Sequence, residues 1–209
     1  MGIAKTNGQL RLLQDVIRQE RIVLSGLRMA ELGNQYFRDD VLGTEVSAKL
    51  VFEAMGVCHS SIDINGADGA EPFDLSEELP ERWGNQFDVV TNFGTSEHVE
   101  RSQYICWRNI HHICRLGGYM IHSLPEIGSW PRHGKWHYDL TRMIALATAW
   151  DVDNYEQLWR LCVAERHESV HDDGRLQHSL LFAFQKKSPA FVSEAFFQDI
   201  MFPPGEPHY

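Results

Sequence analysis

Three carboxylates and a set of histidines are the residues of this chain whose types and spacing could do chemistry. Glu31, Asp63 and Asp74 each stand at or beside the end of a short apolar run, and Gly33 follows the first of them. A glycine directly after a buried strand lets backbone approach a ligand closely, because it has no Cβ. A strand-end carboxylate can accept hydrogen bonds from both hydroxyls of a ribose, which suits Asp63. Asp74 beside the free N–H of Leu75 offers an acceptor and a donor, the pair that the amino group and ring nitrogen of an adenine need. Asn92-Phe93-Gly94 ends a fourth apolar run and adds a fourth polar edge. A lone strand-end Asp is more often a turn former. Two such acids on successive runs, after a Glu-x-Gly turn, point to a ligand site.

The histidines offer a second kind of chemistry. A group that titrates near neutrality can take a proton from a reacting hydroxyl or amine, and histidine is the obvious type. The chain has 11 histidines. His98 follows the fourth run and His122 lies on a fifth. His133 and His137 sit in an aromatic segment, 127–138, where Trp130, Trp136 and Tyr138 could stack on a planar acceptor. His98, His122 and His137 are therefore the candidate catalytic residues, with Glu126 as a further acid or base. No metal site is assigned from the sequence. The cysteines number 4, none in a CxxC pair. Cys106 and Cys114 flank His111 and His112, but they fall at apolar-periodic positions and read as reduced, structural thiols.

Elements of alternating type must position these residues. Apolar periodicity predicts an amphipathic helix over 9–20, a strand over 27–32, and a helix after Thr44 with Val46, Leu50, Ala54 and Met55 inward. Strands follow over 59–64 and 70–75, then a short surface helix over 77–83 and the fourth strand over 87–92. The longest helix is expected over 99–116 with Gly117 as its stop. A fifth strand over 119–123 and a helix from Asp139 to Trp150 come next. Two last strands, 158–164 and 180–184, read as an antiparallel pair joined by the polar loop at His171-Asp172-Asp173-Gly174. Alternation of this kind demands a mostly parallel sheet with helices on both faces, and ligands bind outside its strand ends.

Size and charge narrow the class. The 209 residues fit one domain with a sizeable core, and the formal net charge of −10 disfavours nucleic acid or an anionic membrane as the main partner. The apolar runs are too short to span a bilayer, and residues 1–20 lack a signal-peptide core, so a cytoplasmic protein is expected. Residues 1–26 read as a helical lead-in, 27–187 as the α/β domain, and 188–209 as an irregular Pro-rich tail suited to docking on the surface or on a second copy of the chain.

The chain resembles the class I S-adenosylmethionine-dependent methyltransferases, in the broad group that modifies quinones, sugars and other small molecules. The resemblance covers roughly residues 25 to 187. Glu31-Leu32-Gly33 is similar to the start of the family's acidic-x-Gly-x-Gly motif. Asp63 matches the acid after the second strand, and Asp74-Leu75 the adenine-contacting pair. FDVV…EHV and LGGYMIHS resemble the fourth and fifth strands with their flanking segments. The resemblance implies a Rossmann-like sheet of seven strands, mostly parallel, with a C-terminal antiparallel hairpin. It implies S-adenosylmethionine as cofactor and a small-molecule acceptor methylated on oxygen or nitrogen. Glu31, Gly33, Asn92 and Phe93 would then lie near the methionine part, Asp63 at the ribose, and Asp74 with Leu75 at the adenine. The chain departs from the pattern at Gln35, which stands where the motif has its second glycine and is expected to crowd the cofactor. That departure leaves a non-catalytic binding or scaffold protein of the same fold as the alternative. A nicotinamide-dependent dehydrogenase is excluded, because GNQYFR at 33–38 lacks the G-x-G-x-x-G fingerprint.

Overall fold

The computed structural model describes residues 2–4, 8–39, 44–151, 155–170 and 174–203. Its centre is a six-stranded sheet in the order β5-β2-β6-β7-β11-β10. The strands are β2 (Arg28–Leu32), β5 (Cys58–Ile62), β6 (Phe87–Phe93), β7 (Cys114–Pro125), β10 (Trp159–Val170) and β11 (Leu176–Lys186). The neighbours from β5 through β7 pair in parallel, while β11 runs antiparallel to both β7 and β10. The residues that join β10 and β11 at 171–173 lie outside the described residues.

Side-chain alternation splits the core in two. Ala30, Leu32, Val90, Met120 and Phe182 face one side. Met29, Val89, Ile121, Leu181 and Ala183, next to them in sequence, face the other. A sheet covered on both faces buries its central strands almost throughout, as in β6. On one face pack α3 (Gln103–Ile113), α4 (Leu140–Ala147) and α5 (Glu194–Met201). On the other lie α1 (Gln9–Gln19) and α2 (Ala48–Ala54). Among the described residues no helix is long and apolar enough to cross a membrane.

Among the described residues the sheet has six strands and lacks the expected seventh. Residues 70–75 contribute one bridge, Ile62 to Glu71, and no ladder. Pro72 has no N–H to donate, so pairing stops there and β5 becomes the edge of the sheet. The expected surface helix over 77–83 is likewise only a 3-10 turn, Glu81–Trp83, placed after Pro80.

The segment after β2 also differs. Thr44 does not cap a helix. It opens β4 (Thr44–Ser47), which pairs antiparallel with β3 (Tyr36–Asp39), and β1 (Gly2–Ala4) lies parallel to β3. The helix starts at Ala48 and buries Ala48 and Phe52, leaving Val46, Leu50 and Met55 exposed. Phe52 decides the orientation by stacking on His59, ring centroids 5.4 Å apart.

The helix expected over 99–116 is shorter at both ends. Ser102 caps α3, its hydroxyl accepting from the Ile105 N–H at 3.1 Å. At the other end the last carbonyls are taken by tertiary donors. Asn85 N–H reaches His112 O at 2.8 Å, Gln86 N–H reaches Ile113 O at 2.9 Å, and the buried Lys186 ammonium reaches His111 O and Cys114 O, each at 2.8 Å. With its final turn satisfied this way, α3 ends before Gly117, which instead bends the chain inside β7 at φ 76°. Ser102→Ala is expected to cost about 1 kcal/mol, as loss of a helix cap does. A urea titration would read it, and an unchanged midpoint would contradict the cap.

Residues 188–203 are not an irregular tail. Ser193 caps α5, and Phe197, Met201 and Phe202 are buried in the same core as α3. A short antiparallel pair, β8 (Trp150–Asp151) with β9 (Glu156–Gln157), lies between α4 and β10. Asp139 caps α4 as expected, accepting from Arg142 N–H at 3.0 Å.

Candidate functional site

The ends of β2, β5 and β6 open into a cleft of about 620 Å³. Gly33 makes its floor possible. It sits at φ 76°, and a Cβ there would lie 2.5 Å from Thr95 Oγ1. Thr95 in turn donates to Leu32 O at 2.7 Å, which ties the loop after β6 to the end of β2.

Asp63 organises the next wall. Its Oδ2 accepts from Asn34 N–H at 2.7 Å and its Oδ1 from Asn65 N–H at 3.0 Å. Each carboxylate oxygen keeps further acceptor capacity. Asp74 lies in the same cleft with Leu75 and Ser76. Its Oδ1 accepts from the Ser76 hydroxyl and N–H, and those bonds hold its carboxyl below the usual range. Asn34, on the loop after β2, and Tyr36, at the start of β3, both hydrogen-bond Asp68 from the loop after β5. The two loops are thereby clasped together beside the cleft.

Glu31, Asn92 and Phe93 are buried and lie outside the cleft lining. Glu31 Oε1 accepts from Gln35 N–H at 3.1 Å and from the Ser61 hydroxyl at 3.3 Å, so it shapes the loop from beneath. Asn92 receives Ser96 N–H on Oδ1 at 3.1 Å and donates from Nδ2 to Ser96 Oγ at 2.9 Å. Phe93 packs in the core while its carbonyl accepts from Gln35 Nε2 at 3.1 Å. Gln35 lines the cleft beside Gly33, with its amide held at the sheet end by Phe93 O. Asn34, Tyr36, Asn65, Thr95 and Arg101 line the cleft without having been singled out. Asn34 and Thr95 adjoin Gly33 and Gly94 in sequence, and that adjacency is the signal that could have found them.

The three candidate histidines part company. His98 lines the cleft, at the end of the 3-10 turn Ser96–His98, and burial lowers its pKa. His122 is buried against Trp107, rings 4.7 Å apart, with its pKa pushed down to about 3 by desolvation. It faces the core. His137 is buried too, donating from Nε2 to His133 O at 2.7 Å, and lies outside the cleft. Glu126 is paired with Arg166 and lies 3.5 Å from His178 Nδ1.

Beyond His98 lies a second cavity of about 190 Å³ that includes Glu97, Ser123, Trp130 and His133. Of the aromatics expected near an acceptor, Trp130 lines this cavity. Trp136 instead packs on Phe202, and Tyr138 is buried with its hydroxyl on Gln103 Oε1 at 2.8 Å. The sequence assigned no metal, yet the fold brings Glu97, His98 and His133 together, with one ligand atom from each lying within 4.8 Å of the others.

No protein-family model matches the chain, and no curated protein sequence does. Solved structures do. The chain is similar to the 1,6-didemethyltoxoflavin-N1-methyltransferase of Burkholderia thailandensis, a structure with bound 1,6-didemethyltoxoflavin and S-adenosylhomocysteine. The TM-score is 0.54 at 12% identity, over 88% of this chain and 80% of that one. It is similar to the N-methyltransferase NodS of Bradyrhizobium japonicum, at TM-score 0.54 and 12% identity over 86% and 94% of the two chains. It is also similar to an S-adenosylmethionine-dependent methyltransferase of Methanosarcina mazei, at TM-score 0.50 and 12% identity over 81% and 97%. The fold is that of the class I S-adenosylmethionine-dependent methyltransferases.

Proposed function

We propose that the chain binds S-adenosylmethionine in the larger cleft and methylates a hydroxyl or amine of a small molecule lodged beyond His98. The observation that carries this reading is the convergence of Asp63, Asp74 and the Gly33 turn on one cleft at the strand ends. The residues fit the cofactor. Gly33 leaves backbone bare where a Cβ has no room. Asp63 keeps acceptor sites for two ribose hydroxyls, and Asp74 with Leu75 offers the acceptor and donor an adenine edge needs. Gln35 lines the same cleft with its amide tied to Phe93 O, and a chain whose cleft it closes to the cofactor is the non-catalytic alternative.

S-adenosylmethionine supplies a methyl group already activated by a sulfonium charge. What remains for the chain is to hold the acceptor, align it and deal with its proton. Trp130 offers a ring face in the smaller cavity, where a planar acceptor could rest. His98 places an imidazole at the border of the cleft, where burial lowers its pKa. The acidic chain favours neutral or cationic acceptors over anionic ones.

S-adenosylhomocysteine is expected to stabilise the folded chain by mass action, by about 2.7 kcal/mol at a hundredfold excess over its Kd. The melting temperature should rise accordingly in a thermal-shift titration. A folded sample that shows no shift at millimolar ligand would remove the reading.

A further inference from the structure

We propose that Glu97, His98 and His133 bind a divalent transition-metal ion of the zinc type at the border of the two cavities. The strongest observation is Glu97 itself. Its side chain is 1% exposed, and neither carboxylate oxygen has a hydrogen-bond donor among the described residues. A buried carboxylate without donors is costly, and such groups in native folds are paired or coordinate metals. His133 Nε2 stands 3.5 Å from Glu97 Oε1, too long for a good hydrogen bond. The His98 and His133 rings stand edge to face, with centroids 5.1 Å apart.

The backbone holds this arrangement. Glu97 O accepts from Lys135 N–H at 2.8 Å and from Trp136 N–H at 3.2 Å, which clamps the loop carrying His133 onto the turn carrying Glu97 and His98. Gly134, at φ 69°, makes the clamp possible, since a Cβ there would lie 2.8 Å from Glu97 Cγ. His137 adds a bond to His133 O. Ligands fixed in this way need only small side-chain shifts to close on an ion at metal–nitrogen distances of about 2.0–2.1 Å.

The donor set selects the ion. Two imidazoles and one carboxylate suit zinc and its first-row neighbours, whereas magnesium and calcium prefer oxygen. Three protein ligands leave a coordination position open, as catalytic rather than structural sites do. His98 lines the larger cleft, while Glu97 and His133 line the smaller one, so that open position faces the boundary between them. An acceptor oxygen bound there would lose its proton to water near neutral pH, because a bound cation stabilises the anion. The role toward the acceptor rests on the methyl-transfer reading. The ion site does not.

The test is calorimetric titration of the metal-stripped full chain with Zn²⁺, with Co²⁺ as a visible-absorbing probe and Mg²⁺ as comparison. One equivalent of Zn²⁺ and of Co²⁺ should bind, and Mg²⁺ should not. His133→Ala should weaken Zn²⁺ by more than about 100-fold. Glu97→Gln, isosteric and expected to fold, should do the same, while His112→Ala, remote on α3, should leave binding unchanged. No stoichiometric uptake by the wild-type chain, or uptake undiminished in both site variants, overturns the proposal. S-adenosylhomocysteine thermal shifts on the same samples separate the two readings. Zinc uptake without a nucleoside shift keeps the ion site and removes the methyl-transfer reading, and a nucleoside shift without zinc uptake does the reverse.

Discussion

Lowering the pH from 7 to 5 is expected to remove about 4 kcal/mol of folding free energy through two buried histidines, His111 and His122. Burial pushes both pKa values down to about 3, from 6.5 in the open chain. Lys186 adds its charge to the effect at His111. Between these values the unfolded chain binds more protons than the folded one, so stability falls as pH falls below about 6.5. At pH 5 each histidine contributes about 2 kcal/mol of loss, at 1.36 kcal/mol per pH unit. The hydrogen bonds agree with neutral rings. His111 Nδ1 accepts from Trp159 Nε1 at 2.9 Å, and His122 Nδ1 faces Asn92 Nδ2 at 3.2 Å. Asn92 Oδ1 already receives the Ser96 N–H, so its Nδ2 is the donor to His122. A proton added to either Nδ1 would set donor against donor. Against a usual total of 5–15 kcal/mol the loss is large. Urea midpoints at the two pH values would show it, and a difference below about 1 kcal/mol would refute the neutral-ring account. His122→Phe, which keeps a ring against Trp107, should flatten about half of the profile.

Asp63→Ala is expected to weaken S-adenosylhomocysteine by at least 100-fold, about 3 kcal/mol, because two charge-assisted hydrogen bonds to ribose hydroxyls are worth about 1.5 kcal/mol each. The same change also frees Asn34 and Asn65 N–H, which Asp63 now holds, so the loops after β2 and β5 lose a shared anchor. Asp63→Asn separates the two effects. It keeps the side-chain shape and one acceptor oxygen, so its affinity should fall between wild type and Asp63→Ala. Calorimetric titration would measure both variants. Wild-type affinity in Asp63→Ala would place the nucleoside elsewhere and dissolve the argument from strand ends.

The buried strands and two polar strand ends were legible because parallel sheets write themselves as short apolar runs, and Gly33 and Asp63 fall where such runs stop. Three features were not legible, each for a different reason. Residues 70–75 have the composition of a strand, but Pro72 removes a donor that a ladder needs. The segment around Thr44 carries both a strand alternation and a helical spacing, and only the packing of Phe52 on His59 decides between them. The juxtaposition of Glu97 and His98 with His133 is tertiary. It depends on a loop folding back by backbone bonds to Glu97 O, and local spacing motifs are blind to it. The histidines show the same limit. His98 and His122 look alike as residues beside strands, yet one borders a cleft and the other stacks on Trp107 in the core.

The interrupted pairing at Pro72 shifts the support of the Asp74 segment from the sheet to a helix. In a sheet with a full third strand, these residues would be stitched into the ladder, and any insertion there would disturb register. Here a single bridge at Glu71 joins them to β5, and beyond Pro72 the segment is held by Ser76 on Asp74 and by Asn109 of α3, whose side chain donates to Leu75 O and Glu77 O and accepts from Leu79 N–H. Leu75 and Leu79 are buried in the core beside it. The wall of the cleft that carries Asp74 is therefore anchored to α3, and it can change without touching the register of β5 on β2.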